Sequence, residues 1–130
     1  NNTNGVRESS IDWANAGGIC QSLIRDNEYI LASGTVTVST VSVYIPPNST
    51  SLEYMLEMQA ANPADVSCFG RLYSSSTTGT SVDITSAVYT WEGPGTLNVS
   101  DKSGWTLISI YLSAGTPAES RIRGVVYRII

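Results

Sequence analysis

The sequence contains no histidine and only one lysine. Without histidine, the commonest general base, the base of Ser–His and Cys–His nucleophile pairs and the commonest transition-metal ligand are all missing. The short motifs of nucleophile elbows, phosphate-binding loops, dinucleotide-binding turns and EF-hands are missing as well. We therefore predict that this protein is not an enzyme and that it holds no metal ion and no cofactor.

Charge is also scarce. Charged residues make up 14% of the chain, against about 25% in typical soluble domains. The formal net charge is −4 and the basic residues form no run, which argues against nucleic acid as a partner. No apolar stretch approaches the ~18 residues of a membrane span, so we expect no membrane insertion. A surface rich in Ser, Thr, Asn and Gly favours an extracellular or virion-surface location.

Carboxylate pairs were considered as catalytic groups, since glycosidases need no histidine. Glu53 and Glu57 share one face of a predicted strand, but four strand residues place them ~13 Å apart. Glycosidase carboxyls lie ~5–9.5 Å apart. We expect both to be solvated, facing Arg121 or Arg123 across strands, although carboxylates from different strands remain an alternative. A calcium cage is a weaker possibility, unsupported by D-x-D spacing, and would use Asp65, Asp83 and Asp101.

The chain has two cysteines, Cys20 and Cys68. In an oxidising compartment they would form a disulfide. Closing a loop of that length would contribute ~4 kcal/mol to stability in the chain-entropy model. The alternative is a pair of buried free thiols that behave as small hydrophobic side chains. The sequence leaves both open.

Hydrophobic residues recur with a period of two from Thr35 to Ile130, between short turns rich in Gly, Pro, Asn and Ser. A change of phase at Ser39-Thr40 indicates a β-bulge or a bend between sheets. We predict one domain over residues 1–130, an antiparallel all-β sandwich of jelly-roll type with eight to nine strands. Residues 1–18 are expected to form an extended arm.

Aromatic residues suggest a binding surface. Phe69, Arg71 and Tyr73 share one parity of a predicted strand, and Tyr89 and Trp91 share one parity of the next. If these parities face outward, they form an aromatic platform suited to stacking on sugars or on a protein partner. If they face inward, they fill the second inner face of the sandwich. On the first interpretation, the predicted ligand-binding residues are Arg71, Tyr73, Tyr89, Trp91 and Glu92. Glu92 would accept hydrogen bonds from ligand hydroxyls.

Two stretches carry a resemblance to known modules: Gly104–Leu112, and Ser120–Tyr127 after a Gly-Thr-Pro turn. Their strand rhythm resembles the jelly-roll modules of bacteriophage fibres, knobs and capsid decorations. It is also similar to β-sandwich carbohydrate-binding modules attached to polysaccharide-degrading enzymes. The likeness covers roughly the last two-thirds of the chain and implies no catalysis.

These observations together favour a viral structural protein, a virion-surface or fibre-type module involved in receptor or glycan recognition. We expect it to form a homo-oligomer, a trimer or a larger assembly, in which the N-terminal arm packs against a neighbouring subunit. One alternative is a monomeric carbohydrate-binding module of a secreted polysaccharide-degrading enzyme, and another is a building block of an extracellular filament. Oligomeric state discriminates best between them.

Overall fold

The computed structural model of the protein describes residues 21–24, 28–116 and 118–130. In these ranges the chain forms strands and turns but no helix, and hence no helix able to cross a membrane. The expected arm over residues 1–18 and one predicted disulfide partner, Cys20, lie outside the described residues. The prediction of an all-β fold is confirmed.

The described residues form ten strand segments, and eight of them contain three or more residues. Their bounds are β1 Gln21–Ile24, β2 Tyr29–Leu31, β3 Gly34–Ile45, β4 Ser51–Ala60, β5 Phe69–Ser74, β6 Thr77–Thr78, β7 Val82–Asp83, β8 Thr90–Asn98, β9 Gly104–Ala114 and β10 Ser120–Ile129.

The strands form two antiparallel sheets. The first sheet has the order β1-β10-β4-β8, and β2 also pairs with β10; the second has the order β3-β9-β5-β6, and β7 also pairs with β5. The apolar sequence of Trp105–Leu112 predicts a central strand, and that of Arg121–Ile130 predicts a strand that is central or covered by a partner. Both β9 and β10 lie in the middle of their sheets. The two sheets give the chain the character of a β-sandwich, and the jelly-roll connectivity stays a prediction.

The core lies between the sheets and is clearest on β4. The sequence of this strand alternates between apolar and polar residues, which predicts one buried face, and the alternate residues Leu52, Tyr54, Leu56, Met58 and Ala60 are all buried. They belong to the same apolar cluster as Leu72, Ile108, Ile110 and Leu112 of the second sheet. Each sheet thus contributes one face to the core, and its other face is left for contacts with solvent or a partner.

The predicted bulge in β3 is present, slightly earlier than expected. The register against β9 shifts between Thr37 and Ser39. Val36 pairs with Leu112 before the shift and Val41 pairs with Ile108 after it. The extra residue explains why valines of opposite parity both pack against the core.

Two segments differ from the predicted strands. The alternating pattern of the sequence predicts strands at Val66 and at Val88. Val66 is instead 87% exposed and Val88 is 66% exposed, because both lie in turns or bends outside the strands. The Gly-Pro-Gly segment predicted as a turn after Trp91 lies inside β8 instead. Gly93 has a φ of 124° there, a conformation that glycine adopts without strain.

The side chain of Cys68 is buried, and it forms no disulfide with any described residue. Its sulfur lies 3.9 Å from the carbonyl oxygen of Ala118. The predicted partner Cys20 is outside the described residues, and the Cys20–Cys68 bridge stays a prediction.

Stability should fall at alkaline pH because of buried tyrosines. Burial raises the pKa of Tyr54 and of Tyr127, while an unfolded tyrosine has a pKa of about 10. Above that pH the unfolded chain loses these protons more readily than the folded protein, so stability present below pH ~10 is lost as the pH rises further. We expect the urea midpoint to hold to about pH 9 and to drop beyond about pH 10.

Urea titrations across this range, with tyrosinate absorbance recorded in parallel, check this result. The Tyr54→Phe variant lacks one of these groups and should lose less stability over the same pH range. A midpoint that stays constant well above pH 10 would contradict the prediction.

Candidate functional site

The outer face of the second sheet carries a row of aromatic side chains. On β5, Gly70, Leu72 and Ser74 are buried, whereas Phe69, Arg71 and Tyr73 are only half-buried. The inward alternative for these three residues is therefore wrong. We call the outward set Tyr44, Phe69, Arg71, Tyr73, Trp105 and Tyr111 the aromatic face.

Arg71 lies at one end of the aromatic face, between two rings. Its guanidinium carbon is 4.5 Å from the ring centroid of Tyr111 and 5.6 Å from that of Phe69. Within the described residues, the buried Nε atom has no hydrogen-bond partner and Arg71 forms no ion pair. Stacking thus orients a guanidinium whose charge has no counterion in that part of the chain.

Tyr73 and Tyr111 reinforce this cluster. Their ring centroids are 6.2 Å apart with an interplanar angle of 79°, an edge-to-face arrangement. The Tyr73 hydroxyl lies 2.8 Å from Oγ1 of Thr37, which belongs to β3. Tyr73 therefore reaches from β5 across β9, and its contacts hold the rings in place.

The other end of the aromatic face is more exposed. Trp105 on β9 is 74% exposed and its cross-strand neighbour Tyr44 on β3 is 49% exposed. Their centroids are 5.6 Å apart at an interplanar angle of 69°. Six residues separate Trp105 from Tyr111, so the face extends ~20 Å along β9. Between the two ends lie the hydroxyls of Thr40 and Ser109, 2.9 Å apart.

The outer face of the first sheet has a different character. Glu57 lies 3.1 Å from Nη2 of Arg123, which confirms the predicted cross-strand pair. Glu53 does not face Arg121 or Arg123 but accepts a 2.9 Å hydrogen bond from Nε of Arg128, because it lies opposite Arg128 in the β4–β10 register. We call this surface the charged face.

Tyr89 and Trp91 belong to the charged face. The Arg123 guanidinium carbon lies 4.1 Å from the Tyr89 ring centroid, and the Tyr89 hydroxyl donates a 2.7 Å hydrogen bond to Glu28. Burial, followed by the Glu28 carboxylate, raises the pKa of Tyr89. Trp91 is half-buried and packs so closely on Gly124 that a β-carbon there would lie 2.8 Å from the ring.

Glu92 points the other way. It is buried, and its carboxylate accepts hydrogen bonds of 3.0 Å from the amide and 2.9 Å from the hydroxyl of Thr85. The carboxylate of Glu92 is therefore bonded inside the fold, and the prediction that it contacts a ligand beside Trp91 is wrong.

The five predicted site residues are thus not brought together. Arg71 and Tyr73 lie on the outer face of the second sheet, while Tyr89 and Trp91 lie on that of the first. The prediction of one continuous platform is wrong because β5 and β8, although close in sequence, belong to different sheets. Period-two alternation gives the face of a strand but not the sheet that the strand joins.

Sequence reasoning missed Tyr44, Trp105 and Tyr111. A signal was present on β9, where Trp105, Leu107, Ser109 and Tyr111 occupy one parity and the half-buried Thr106 and the buried Ile108 and Ile110 occupy the other. Because β9 is apolar at both parities, it was interpreted only as a central strand.

The three aspartates considered for calcium are not gathered into a site. Within residues 21–24, 28–116 and 118–130, no group of three or more His, Cys, Asp or Glu side chains is placed to hold a metal ion. Asp65 instead accepts a 2.8 Å hydrogen bond from the amide of Ser67, and Asp101 pairs with Lys102 at 3.1 Å.

Comparison with known proteins adds no relative. No protein-family model matches the chain, and neither curated proteins nor solved structures yield a match.

Proposed function

We propose that this chain is a non-catalytic recognition module of an extracellular or virion-surface assembly, and that it binds a glycan through the aromatic face. The observation that carries the proposal is the 74% exposure of Trp105. Trp105 lies on the same face of β9 as Tyr111, the ring on which Arg71 stacks.

Exposed rings on a sheet face suit a sugar ligand. Burying Trp105 and Tyr44 against a ligand would remove their apolar surface from water, and this burial favours binding. Tyr and Trp combine an apolar ring with a polar tip and so match the mixed surface of a sugar. The hydroxyls of Thr40 and Ser109 add neutral donors and acceptors between the rings.

Arg71 suggests the kind of glycan. A planar guanidinium binds carboxylate and sulfate groups in a bidentate manner, and Arg71 has no carboxylate partner among the described residues. We therefore expect a glycan that carries an acidic substituent. Asp83 is exposed and lies opposite Phe69, so the acidic group should approach from the Tyr111 side.

The carboxylates in the described residues give no support to a catalytic role. Glu53 and Glu57 are paired with arginines, and Glu92 is buried against Thr85. These contacts favour structural roles for the three glutamates.

The proposal is tested with alanine variants of the two ends of the aromatic face. Trp105→Ala and Tyr111→Ala should each weaken glycan binding about tenfold or more, as truncating a central anchor of an interface does. Binding is measured on a glycan array and then by calorimetry with the glycan selected. Trp91→Ala, which removes a tryptophan from the charged face, is the matched control and should leave affinity unchanged.

Loss of binding in Trp91→Ala but not in Trp105→Ala would place the ligand on the charged face instead. Absence of binding to every arrayed glycan by a folded wild-type protein would overturn the proposal. The carbohydrate-binding module of a secreted enzyme would use the same face. A stable monomer retained by insoluble polysaccharide favours that alternative, and a stable oligomer favours the virion-surface or fibre module.

A further inference from the structure

β3 is the edge strand of the second sheet. It runs over Gly34–Ile45, twelve residues, and within the described residues it pairs only with β9. None of the twelve residues is charged and none is proline. Its second row of backbone amides and carbonyls therefore pairs with no other strand among the described residues, and such a row can pair with an added strand.

The other described sheet edges are protected. At the opposite edge of the second sheet, β6 and β7 have two residues each. In the first sheet, β1 and β2 have four and three residues, and β8 is interrupted by Pro94. Short strands and proline are the usual means of preventing edge-to-edge pairing. In β3 the bulge near Val38 protects only the first half, and Thr40–Ile45 stays regular.

The inner side of β3 is also incompletely covered. Val36, Val38 and Val41 pack against the core but remain half-buried. On β9, one strand further in, Ile108 and Ile110 are fully buried. In the regular half, Val43 and Ile45 are already buried and Val41 is the partly covered residue. A strand added beside Thr40–Ile45 would cover Val41 if it offered apolar side chains on its inner side and small polar ones on its outer side.

We propose that the added strand is β3 of a second copy of this chain, paired antiparallel about a two-fold axis. In the regular half, Thr40 and Ser42 point outward while Val41 and Val43 point inward. Antiparallel self-pairing with matched parity places valines beside valines and hydroxyls beside hydroxyls. Because the strand is neutral, the two copies meet without like-charge repulsion.

This pairing would join two second sheets into one and place two aromatic faces side by side. Two ligand sites on one surface raise the avidity for a repeating ligand without any new contact. The inference does not depend on the proposed function, since it rests on the edge of the sheet and not on its outer face.

The first experiment uses the unmodified chain. Light scattering should give twice the chain mass of 13.9 kDa. Amide exchange by NMR should show protection at consecutive residues of Thr40–Ile45. In an unpaired edge strand, alternate amides point to solvent and exchange fast. A monomer with fast alternate amides would overturn the proposal. So would a monomer protected at all these amides, which would mean that another part of the chain covers β3, or an oligomer with fast alternate amides.

The second experiment places charges on the edge. The double variant Thr40→Lys, Ser42→Lys should be monomeric and should regain fast alternate exchange, since lysines on an edge strand oppose pairing. The control Asn62→Lys, Ser81→Lys adds the same charge at exposed positions away from β3 and should remain dimeric. Circular dichroism confirms that both variants keep the wild-type strand signal. A folded, dimeric Thr40→Lys, Ser42→Lys variant would contradict pairing through β3.

Discussion

Replacing Tyr54 with alanine should lower the free energy of unfolding by about 3–5 kcal/mol, the range for truncating a large buried side chain. Tyr54 on β4 is fully buried. Its ring packs against Gly79 and Gly95, and its hydroxyl donates a hydrogen bond to the carbonyl of Thr80. Gly95 belongs to β8 of the first sheet, whereas Gly79 follows β6 of the second, so this side chain connects the two sheets at one side of the sandwich.

Urea unfolding followed by tryptophan fluorescence measures this change. Tyr54→Phe is the matched control, since it keeps the ring and removes only the hydroxyl. It should cost about 1 kcal/mol, because the Thr80 carbonyl loses its partner. Equal effects of the two substitutions would show that the hydrogen bond and not the packing dominates. A loss below about 1 kcal/mol for the alanine variant would contradict the burial of Tyr54.

The inward direction of Tyr54 could be predicted from the sequence because the other parity of β4 carries Glu53 and Glu57. Charged side chains on one parity of a strand indicate that this face contacts water, so the other parity faces the core. On β5 the outer parity has no acidic residue that would identify it as the outer face. Its inner parity includes Gly70, where the side chains of Leu56 and Met58 approach so closely that a β-carbon would lie 2.7 Å from the Met58 sulfur.

A glycine at an inner position lowers the apparent hydrophobicity of the buried face of β5. The outer parity, with Phe69 and Tyr73, then looked at least as apolar as the inner one, and the sequence left both directions open. The location of β8 in the other sheet depends on long-range pairing with β4, which no local pattern encodes. The fold class was therefore predictable, whereas the assembly of the aromatic face was not.

The exposure of the outer face of β9 could not be predicted from the sequence either. Both of its parities are apolar, which is typical of a strand covered by a layer on each face. On its inner parity Ile108 and Ile110 are fully buried, but Trp105 on the outer parity is largely exposed. An apolar pattern on a strand shows that a surface favours burial. It does not show whether that surface is buried in the core of the same chain or against a ligand or partner.

Replacing Arg71 with alanine should weaken the binding of an acidic glycan by about 10- to 100-fold, since hydrogen bonds to charged groups contribute ~1.5–3 kcal/mol. A neutral glycan should lose much less. The guanidinium is held by Tyr111 and Phe69 at 4.5 and 5.6 Å, so its donors are oriented before the ligand arrives. Arg71→Lys should recover only part of the affinity, because an ammonium has no planar fork.

Arg123→Ala is the matched control for Arg71→Ala, because Arg123 also stacks on a tyrosine, Tyr89, but on the charged face. Calorimetry with one acidic and one neutral glycan, at low and at high salt, separates the two contributions of Arg71. A charge contact weakens in salt, whereas the ordering of the Phe69 and Tyr111 rings does not. If Arg71→Ala lowers the affinity for both glycans equally and without salt dependence, Arg71 only positions the rings, and the preference for an acidic ligand is wrong. If Arg123→Ala has the larger effect, the acidic group binds to the charged face, where Arg123 would have to exchange Glu57 for the ligand.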